Sequence, residues 1–170
     1  RMPHLFLDMD GVQADFFGAW AHMHRVPTYK HIAKPEEAID ALAASGPDKV
    51  YEFFVNLRPL PGGKQIVNWL NKNLVPFTVL SAPLRGQNSE ASVQAKKDWL
   101  DKHNPGTSQY AIFTSAKEKF ALKNGHPQVL VDDFGKYLLK WDQAGGVAIK
   151  HDEAITSHTL AQLENIYGKR

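Results

Sequence analysis

The chain has no cysteine, which excludes a disulfide framework and any metal site built on thiolates. It also has little excess of either charge, because 20 lysine and arginine residues stand against 18 aspartate and glutamate residues. Without a basic tract, so small a bias does not indicate a nucleic-acid or membrane surface. No apolar run approaches the roughly 18 residues of a membrane-spanning helix, and nothing has the pattern of a signal peptide. We therefore expect a soluble cytoplasmic protein with neither a membrane partner nor a stable nucleic-acid partner.

Apolar sequence is plentiful enough for one substantial core, since 43% of the 170 residues are hydrophobic. Short apolar runs alternate with longer segments of helical periodicity, which is typical of βαβ units around a parallel sheet. We predict an α/β fold with a Rossmann-like parallel sheet flanked by helices. The runs that predict strands are HLFLD (4–8), PFTVLSA (76–82), YAIF (110–113), QVLVDD (128–133) and GVAIK (146–150).

The later part of the chain contains five segments that predict helices. In the first, an apolar face would run from Ile66 to Leu74, and in the second, Val93 and Leu100 would share the buried face. In the third, Ser115 is the predicted N-cap, with a capping box and a final glycine in support. The segments are 62–74, 89–103, 115–125, 134–146 and 157–168.

Residues 15–57 break the alternation, because they contain helical patterns but no clear strand candidate. The chain re-enters through RPLPGG (58–63), whose prolines and glycines are typical of a loop. We predict a core of residues 1–14 and 58–170 with a helical cap at 15–57 that lies over the strand ends. The cap's aromatic residues are expected to form its own core, with one or two also available to a ligand: Phe16, Phe17, Trp20, Phe53 and Phe54.

Two aspartates, Asp8 and Asp10, follow the first strand and precede Gly11. Alternate residues of an extended strand point to the same side, so both carboxylates can address one ligand. A second pair, Asp132 and Asp133, ends the fourth predicted strand. Two unit charges 4 Å apart repel by about 4 kcal/mol at an effective dielectric of about 20, so four carboxylates at one edge of the sheet need a cation or raised pKa values. Mg²⁺, which prefers oxygen ligands, is the natural partner.

Two further strand ends carry groups suited to a phosphate. Ser81 closes the second predicted strand, and Lys117 follows the third. A hydroxyl and an ammonium both donate hydrogen bonds to anionic oxygens. Lys119 competes with Lys117 for this role, because the two positions differ by about half a helical turn.

In this order, the four elements resemble the motifs of the haloacid dehalogenase-like phosphohydrolases. The motifs read DMDGV, VLSAP, TSAKEK and VLVDD. The helical insertion after the first motif and the stretch TSAK are most similar to the 5′(3′)-deoxyribonucleotidase-like members, including phage-type proteins. The resemblance implies a Mg²⁺-dependent phosphomonoesterase that removes phosphate from deoxynucleoside or nucleoside monophosphates through an aspartyl-phosphate.

Carried over residue by residue, the resemblance makes Asp8 the nucleophile and Asp10 the general acid and base. It implies that Mg²⁺ is held by the Asp8 carboxylate, the Asp10 backbone carbonyl and Asp133, with Asp132 reaching it through water. The residues implied for binding the phosphoryl oxygens are Ser81 and Lys117.

Two other functions remain open from the sequence. The same chemistry would serve another small phosphate ester or a nucleic-acid 3′ end. A non-catalytic receiver-like module also uses clustered aspartates, a hydroxyl, a lysine and Mg²⁺, but it pairs its acids early and has its lysine last. Here an acidic pair follows the lysine, which favours the hydrolase.

Overall fold

The computed structural model describes residues 2–168. Five of its strands form one parallel sheet, and two short strands form a separate antiparallel hairpin. The sheet strands coincide with the five predicted apolar runs, so the predicted parallel α/β sheet is confirmed. The strands are β1 (Leu5–Leu7), β2 (Phe77–Ser81), β3 (Ile112–Phe113), β4 (Leu122–Lys123), β5 (His126–Pro127), β6 (Val129–Asp132) and β7 (Val147–Lys150).

The sheet order is β3, β2, β1, β6, β7, which places β1 at the centre. Leu7 pairs with Val79 of β2 on one side and with Val131 of β6 on the other. Because all five strands run in the same direction, their carboxyl ends meet at one edge of the sheet. The residues that follow β1, β2 and β6 are thereby neighbours.

Helices cover both faces of the sheet, and three of them lie between β1 and α4, in the predicted cap segment. The described residues contain α1 (Phe16–Met23), α2 (Pro35–Ala43), α3 (Pro47–Val55), α4 (Pro61–Lys72), α5 (Ser89–His103), α6 (Gly135–Gln143) and α7 (Thr156–Tyr167), with 3₁₀ helices at Tyr29–His31, Ser108–Tyr110, Lys117–Phe120 and Glu153–Ile155. Over residues 2–168, no helix combines the length and the apolar character that crossing a bilayer requires.

The central strand packs its two faces against different helices. Leu5 and Leu7 join a buried cluster with side chains of α4 and α7. Phe6, between them, faces the other side and packs with Leu138 and Trp141 of α6. The apolar run is continuous because both faces of a parallel sheet are covered.

The helical segment 15–57 packs on α5. Phe16, Trp20 and Phe54 share one buried cluster with Trp99 of α5. The Tyr51 hydroxyl donates to Asp98 Oδ2 at 2.5 Å, and the Trp99 indole donates to the Leu57 carbonyl at 2.8 Å. Most of the segment's aromatic bulk is therefore core, as expected from the sequence.

The prediction of a helix at 115–125 is wrong. The chain forms the 3₁₀ helix Lys117–Phe120 and then the hairpin of β4 and β5. Asn124 and Gly125 both have positive φ, 52° and 78°, and Asn-Gly at the two central positions is typical of a tight hairpin turn. A helix C-cap, which was predicted for this glycine, and a hairpin turn both use positive φ, so the local sequence pattern does not distinguish them.

Two predicted helix faces also need correction. Helix α4 ends at Lys72, and Leu74 has φ of 56° and is 80% exposed, so it does not extend the apolar face. In α5, the buried face comprises five residues and excludes Val93. The buried residues are Ser92, Ala95, Lys96, Trp99 and Leu100.

Candidate active site

Three carboxylates meet at the carboxyl ends of the two central strands. Asp8 follows β1, and its N–H continues the ladder by donating to the Val131 carbonyl at 3.0 Å. Asp132 is the last residue of β6, and Asp133 is the next. One oxygen from each of the three side chains lies within 4.8 Å of the others. This spacing is close enough for one cation to bind all three.

Gly11 makes room for this cluster. Its φ is 82°, which a residue with a side chain adopts only at a cost. A Cβ atom at this position would collide with the carboxylate of Asp133. The glycine of the first motif is therefore required by both the turn and the neighbouring acid.

Lys117 lies inside the cluster. Its Nζ donates to Asp8 Oδ1 at 2.9 Å and to Asp132 Oδ2 at 2.7 Å. Only 1% of the Lys117 surface is exposed, whereas Lys119 is on the surface. Of the two lysines left open by the sequence, the structure brings Lys117 to the carboxylates.

The cluster carries more negative than positive charge, and its pKa values are displaced accordingly. Burial, followed by the charge of Asp132, raises the pKa of Asp8 to about 7. Burial, followed by the charges of Asp8 and Asp132, raises the pKa of Asp133 to about 9. Burial alone disfavours the Lys117 ammonium, but the charges of Asp8 and Asp132 outweigh it and raise the pKa of Lys117. Near neutral pH, Asp133 and a part of the Asp8 population therefore hold protons that a bound cation would displace.

Asp10 has a separate cation, Lys96, which the sequence analysis missed. Lys96 is 1% exposed, and its Nζ donates to Asp10 Oδ2 at 3.1 Å, to Ser81 Oγ at 2.8 Å and to the Ala82 carbonyl at 2.7 Å. Ser81, at the end of β2, thus joins the same site. Since the Ser81 oxygen accepts from Lys96, its own O–H is available to another acceptor.

The protonation of Asp10 differs from that of an exposed aspartate. Burial raises the pKa of Asp10, Lys96 opposes this rise, and the Asp8 charge adds to it. Within residues 2–168, Asp10 Oδ1 is one of three buried side-chain polar atoms without a hydrogen-bond partner. A raised pKa and a free oxygen suit a group that exchanges protons with a ligand.

The nucleophile candidate is also held through its backbone. Gln13, which is 4% exposed, donates from Nε2 to the Asp8 carbonyl at 3.0 Å. Asn104, at the end of α5, donates to Gln13 Oε1 at 3.0 Å. These two buried amides fix the loop that carries Asp8 and Asp10, and short-range sequence patterns give no sign of a pair 91 residues apart.

A cavity of about 450 Å³ opens onto the carboxylates, within the usual range of small-molecule sites. Asp8, Asp10, Lys117 and Asp133 lie at one end. Lys30 and Glu36 are the charged lining residues from the segment 15–57. The apolar and aromatic residues that line the cavity are Phe16, Phe17, Trp20, Tyr29, Ile32, Pro35, Ile39, Ala82, Phe134 and Tyr137.

Comparison with solved structures identifies the fold. A hydrolase from Pseudomonas syringae aligns with a TM-score of 0.53 and 13% identity over 98% of this chain and 99% of that chain. A putative beta-phosphoglucomutase from Thermotoga maritima aligns with a TM-score of 0.52 and 13% identity over 95% of this chain and 100% of that chain. A family IA, variant 3, HAD hydrolase from Entamoeba histolytica aligns with a TM-score of 0.50 and 14% identity over 98% of this chain and 90% of that chain. At these identities the likeness shows the fold alone, which is haloacid dehalogenase-like.

The sequence itself matches one family over nearly its whole length. No curated protein is significantly similar to the chain in sequence. Residues 1–165 match the family described as 5′ nucleotidase, deoxy (Pyrimidine), cytosolic type C protein, which confirms the resemblance inferred from the four motifs. Since nearly the whole chain carries this match, and Asp8, Asp10 and Lys117 line one cavity, the chain belongs to this nucleotidase family and is a hydrolase of phosphate monoesters.

Proposed function

We propose that the protein is a Mg²⁺-dependent nucleotidase that releases phosphate from deoxynucleoside monophosphates through an aspartyl-phosphate on Asp8. The observation that carries this proposal is the carboxylate and lysine cluster at the end of an aromatic-lined cavity. A phosphate monoester fits that polarity, with its dianion at the lysines and its organic part between the aromatic rings. The family match supports a nucleotide as the substrate. In keeping with the cytosolic type that the family description names, we also propose a cytoplasmic location.

The chemistry divides between the first two aspartates. An Asp8 oxygen attacks phosphorus while the bond from phosphorus to the leaving oxygen breaks, and Asp10 gives its proton to that oxygen. In the second half, Asp10 takes a proton from water, which attacks the phosphorus of the aspartyl-phosphate and frees Asp8 and inorganic phosphate. The raised pKa of Asp10 supports its first role, because a general acid must hold its proton near the working pH.

Ser81 and Lys117 would stabilise the phosphoryl oxygens, and Lys96 would position Ser81. Lys117 already contacts Asp8 at 2.9 Å, so its ammonium lies beside the attacking oxygen. Lys96 orients Ser81 and holds Asp10 in place through the contacts described above. Preorganised donors of this kind stabilise charge that develops during transfer.

The carboxylates present fit a divalent cation. Asp8, Asp133 and the Asp10 backbone carbonyl would hold Mg²⁺, which supplies positive charge against the phosphate dianion. Asp132 has both oxygens engaged, one by Lys117 and the other by the Phe134 N–H at 3.0 Å. This arrangement supports Asp133 as the direct ligand and Asp132 as a ligand through water.

The residues at 15–57 would act as the cap that selects the organic part of the substrate, over a core formed by 1–14 and 58–170. Phe17 and Tyr29 lie with ring centroids 4.5 Å apart and line the cavity, where a base could stack on them. An apolar wall rejects an added hydroxyl only weakly, by about 10²-fold. We therefore expect a clear but incomplete preference for deoxyribose over ribose.

Replacing the two aspartates should separate their roles. Asp8→Asn should abolish turnover, because an amide cannot attack phosphorus, and Asp10→Asn should lower kcat by about 10²- to 10⁴-fold, the usual contribution of general acid–base catalysis. Steady-state phosphate release measures both, with Asp142→Asn on the surface of α6 as the control. Near-normal activity of Asp8→Asn would exclude the covalent route.

Two matched lysine pairs test the phosphoryl site. Lys117→Met and Lys96→Met should each lower kcat/KM by about 10²- to 10³-fold, the usual loss for one preorganised donor. Their exposed neighbours provide the controls, and Lys119→Met and Lys97→Met should stay within about twofold of wild type. Thermal unfolding of all four separates lost catalysis from lost folding. A larger loss for Lys119→Met than for Lys117→Met would reassign the phosphate lysine.

Chelation should remove activity, and Mg²⁺ should restore it.

Asp8 and Asp133 have folded-state pKa values raised from 3.8 to about 7 and about 9. Their contribution to stability is therefore complete below pH ~4 and is lost as the pH rises toward 9. Mg²⁺ competes with these protons, so it should raise Tm more at pH 8 than at pH 5.5. In activity titrations, Asp133→Asn should raise the Mg²⁺ concentration needed for half-maximal activity more than Asp132→Asn does. Full activity in metal-free enzyme would contradict the proposal.

The substrate class is tested by comparing kcat/KM for deoxynucleoside monophosphates, ribonucleoside monophosphates, a sugar phosphate and a 3′-phosphorylated oligonucleotide. The deoxynucleotides should be best. Phe17→Ala should lower their kcat/KM, since stacking on an aromatic ring contributes about 1–3 kcal/mol per base. If the sugar phosphate or the oligonucleotide were best, the nucleotide assignment would fail, while the phosphatase mechanism would stand.

A further inference from the structure

Phe134 is a large apolar side chain at the edge of the catalytic cluster. Its relative exposure is 46%, and it lines the catalytic cavity. Its backbone position is set by the site itself, because its N–H donates to Asp132 Oδ1 at 3.0 Å. A lone exposed phenylalanine is ordinary on a protein surface. This one belongs to a pair.

Tyr137 is the second ring of the pair. It lies three residues later, in the first turn of α6, for which Phe134 is the N-cap residue. The Phe134 and Tyr137 ring centroids are 5.1 Å apart with an interplanar angle of 61°, and the Lys117 ammonium lies 4.7 Å from the Tyr137 centroid. The two rings therefore form one aromatic surface in the cavity lining, beside the ammonium of Lys117.

The cap contributes rings to the same cavity. Phe17 and Tyr29 line it from α1 and from the 3₁₀ helix that follows. Both cap rings are partly exposed, unlike the buried Phe16 and Trp20. The cavity thus has aromatic surface from two separate parts of the chain, and the catalytic carboxylates and Lys117 lie at its end.

We propose that Phe134 and Tyr137 form the core side of an aromatic clamp, opposite Phe17 and Tyr29, which selects phosphate monoesters that carry a flat ring. This inference rests on the proposed function, because the clamped ring is the base of the nucleotide. Phe134 is then a specificity-determining residue that acts on the ring and leaves the phosphoryl chemistry unchanged.

The size of the effect follows from ring stacking. Removal of one stacking partner should lower kcat/KM for a base-bearing substrate by about 5- to 150-fold. A phosphate ester without a ring gains nothing from Phe134 and should lose nothing. The discrimination between ringed and ringless substrates, rather than activity alone, is the quantity that the clamp sets.

The experiment compares Phe134→Ala, Phe134→Leu and Phe134→Trp with wild type on a deoxynucleoside monophosphate, deoxyribose 5-phosphate, p-nitrophenyl phosphate and glycerol phosphate. The alanine variant should lose the stated factor on the two ringed substrates, mainly through KM, and stay within twofold on the two ringless ones. Leucine should not rescue, and tryptophan should. Leu139→Ala, 58% exposed on the same helix, is the matched control and should behave as wild type.

The outcomes separate the two proposals. Equal losses on ringed and ringless substrates, or no loss on either, would overturn the clamp, as would full rescue by leucine. If wild type failed to hydrolyse nucleotides yet hydrolysed p-nitrophenyl phosphate, the nucleotidase assignment would fail. In that case, a selective loss of p-nitrophenyl phosphate turnover in Phe134→Ala would still support the clamp, and the absence of this loss would contradict it.

Discussion

The ammonium of Lys117 between Asp8 and Asp132 is the contact on which the rest of the site depends. Adjacent parallel strands bring the acids together whether or not their charges are balanced. At an effective dielectric of about 20, a contact near 3 Å contributes about 5 kcal/mol of attraction before the cost of burial. Lys117 opposes the rise that burial and the charge of Asp132 cause in the pKa of Asp8, so its loss would raise that pKa further and favour the protonated acid.

A second cation gives two aspartates only two residues apart different electrostatic surroundings. Lys117 contacts Asp8, and Lys96 contacts Asp10. Asp8 is therefore bound into the charge cluster at the strand ends, while Asp10 faces the cavity with one oxygen unpartnered. Catalytic carboxyl pairs commonly divide their roles through such differences in surroundings. Here the difference comes from lysines on two separate elements, the 3₁₀ helix Lys117–Phe120 and α5.

The parts of the fold and site that could be predicted from sequence are those set by local pattern. The apolar runs predicted the strands. Because parallel strands end at one edge of a sheet, their order also predicted that Asp8 and Asp132 lie close together. Lys117 was placed correctly near the acids although its predicted helix is absent, because the end of β3 alone puts it at that edge. Lys96 could not be found this way, since a lysine within a helix usually faces water. The sequence feature that could have indicated Lys96 is its position in the helix, one residue after Ala95 and three before Trp99, because both of these residues are buried.

Helix α5 connects the segment 15–57 to the carboxylate site, which explains how so short a segment can help to form a defined cavity. Asp98 and Trp99 of α5 bind that segment through the Tyr51 hydroxyl and the Leu57 carbonyl. Within one turn, Lys96 contacts Asp10, and its ammonium lies 5.3 Å from the ring centroid of Phe54 in α3. The same helix ends at Asn104, whose contact with Gln13 supports the Asp8 backbone. Because one helix touches the segment 15–57, Asp10 and the loop that carries Asp8, the distance from the rings of that segment to the carboxylates is set by core packing.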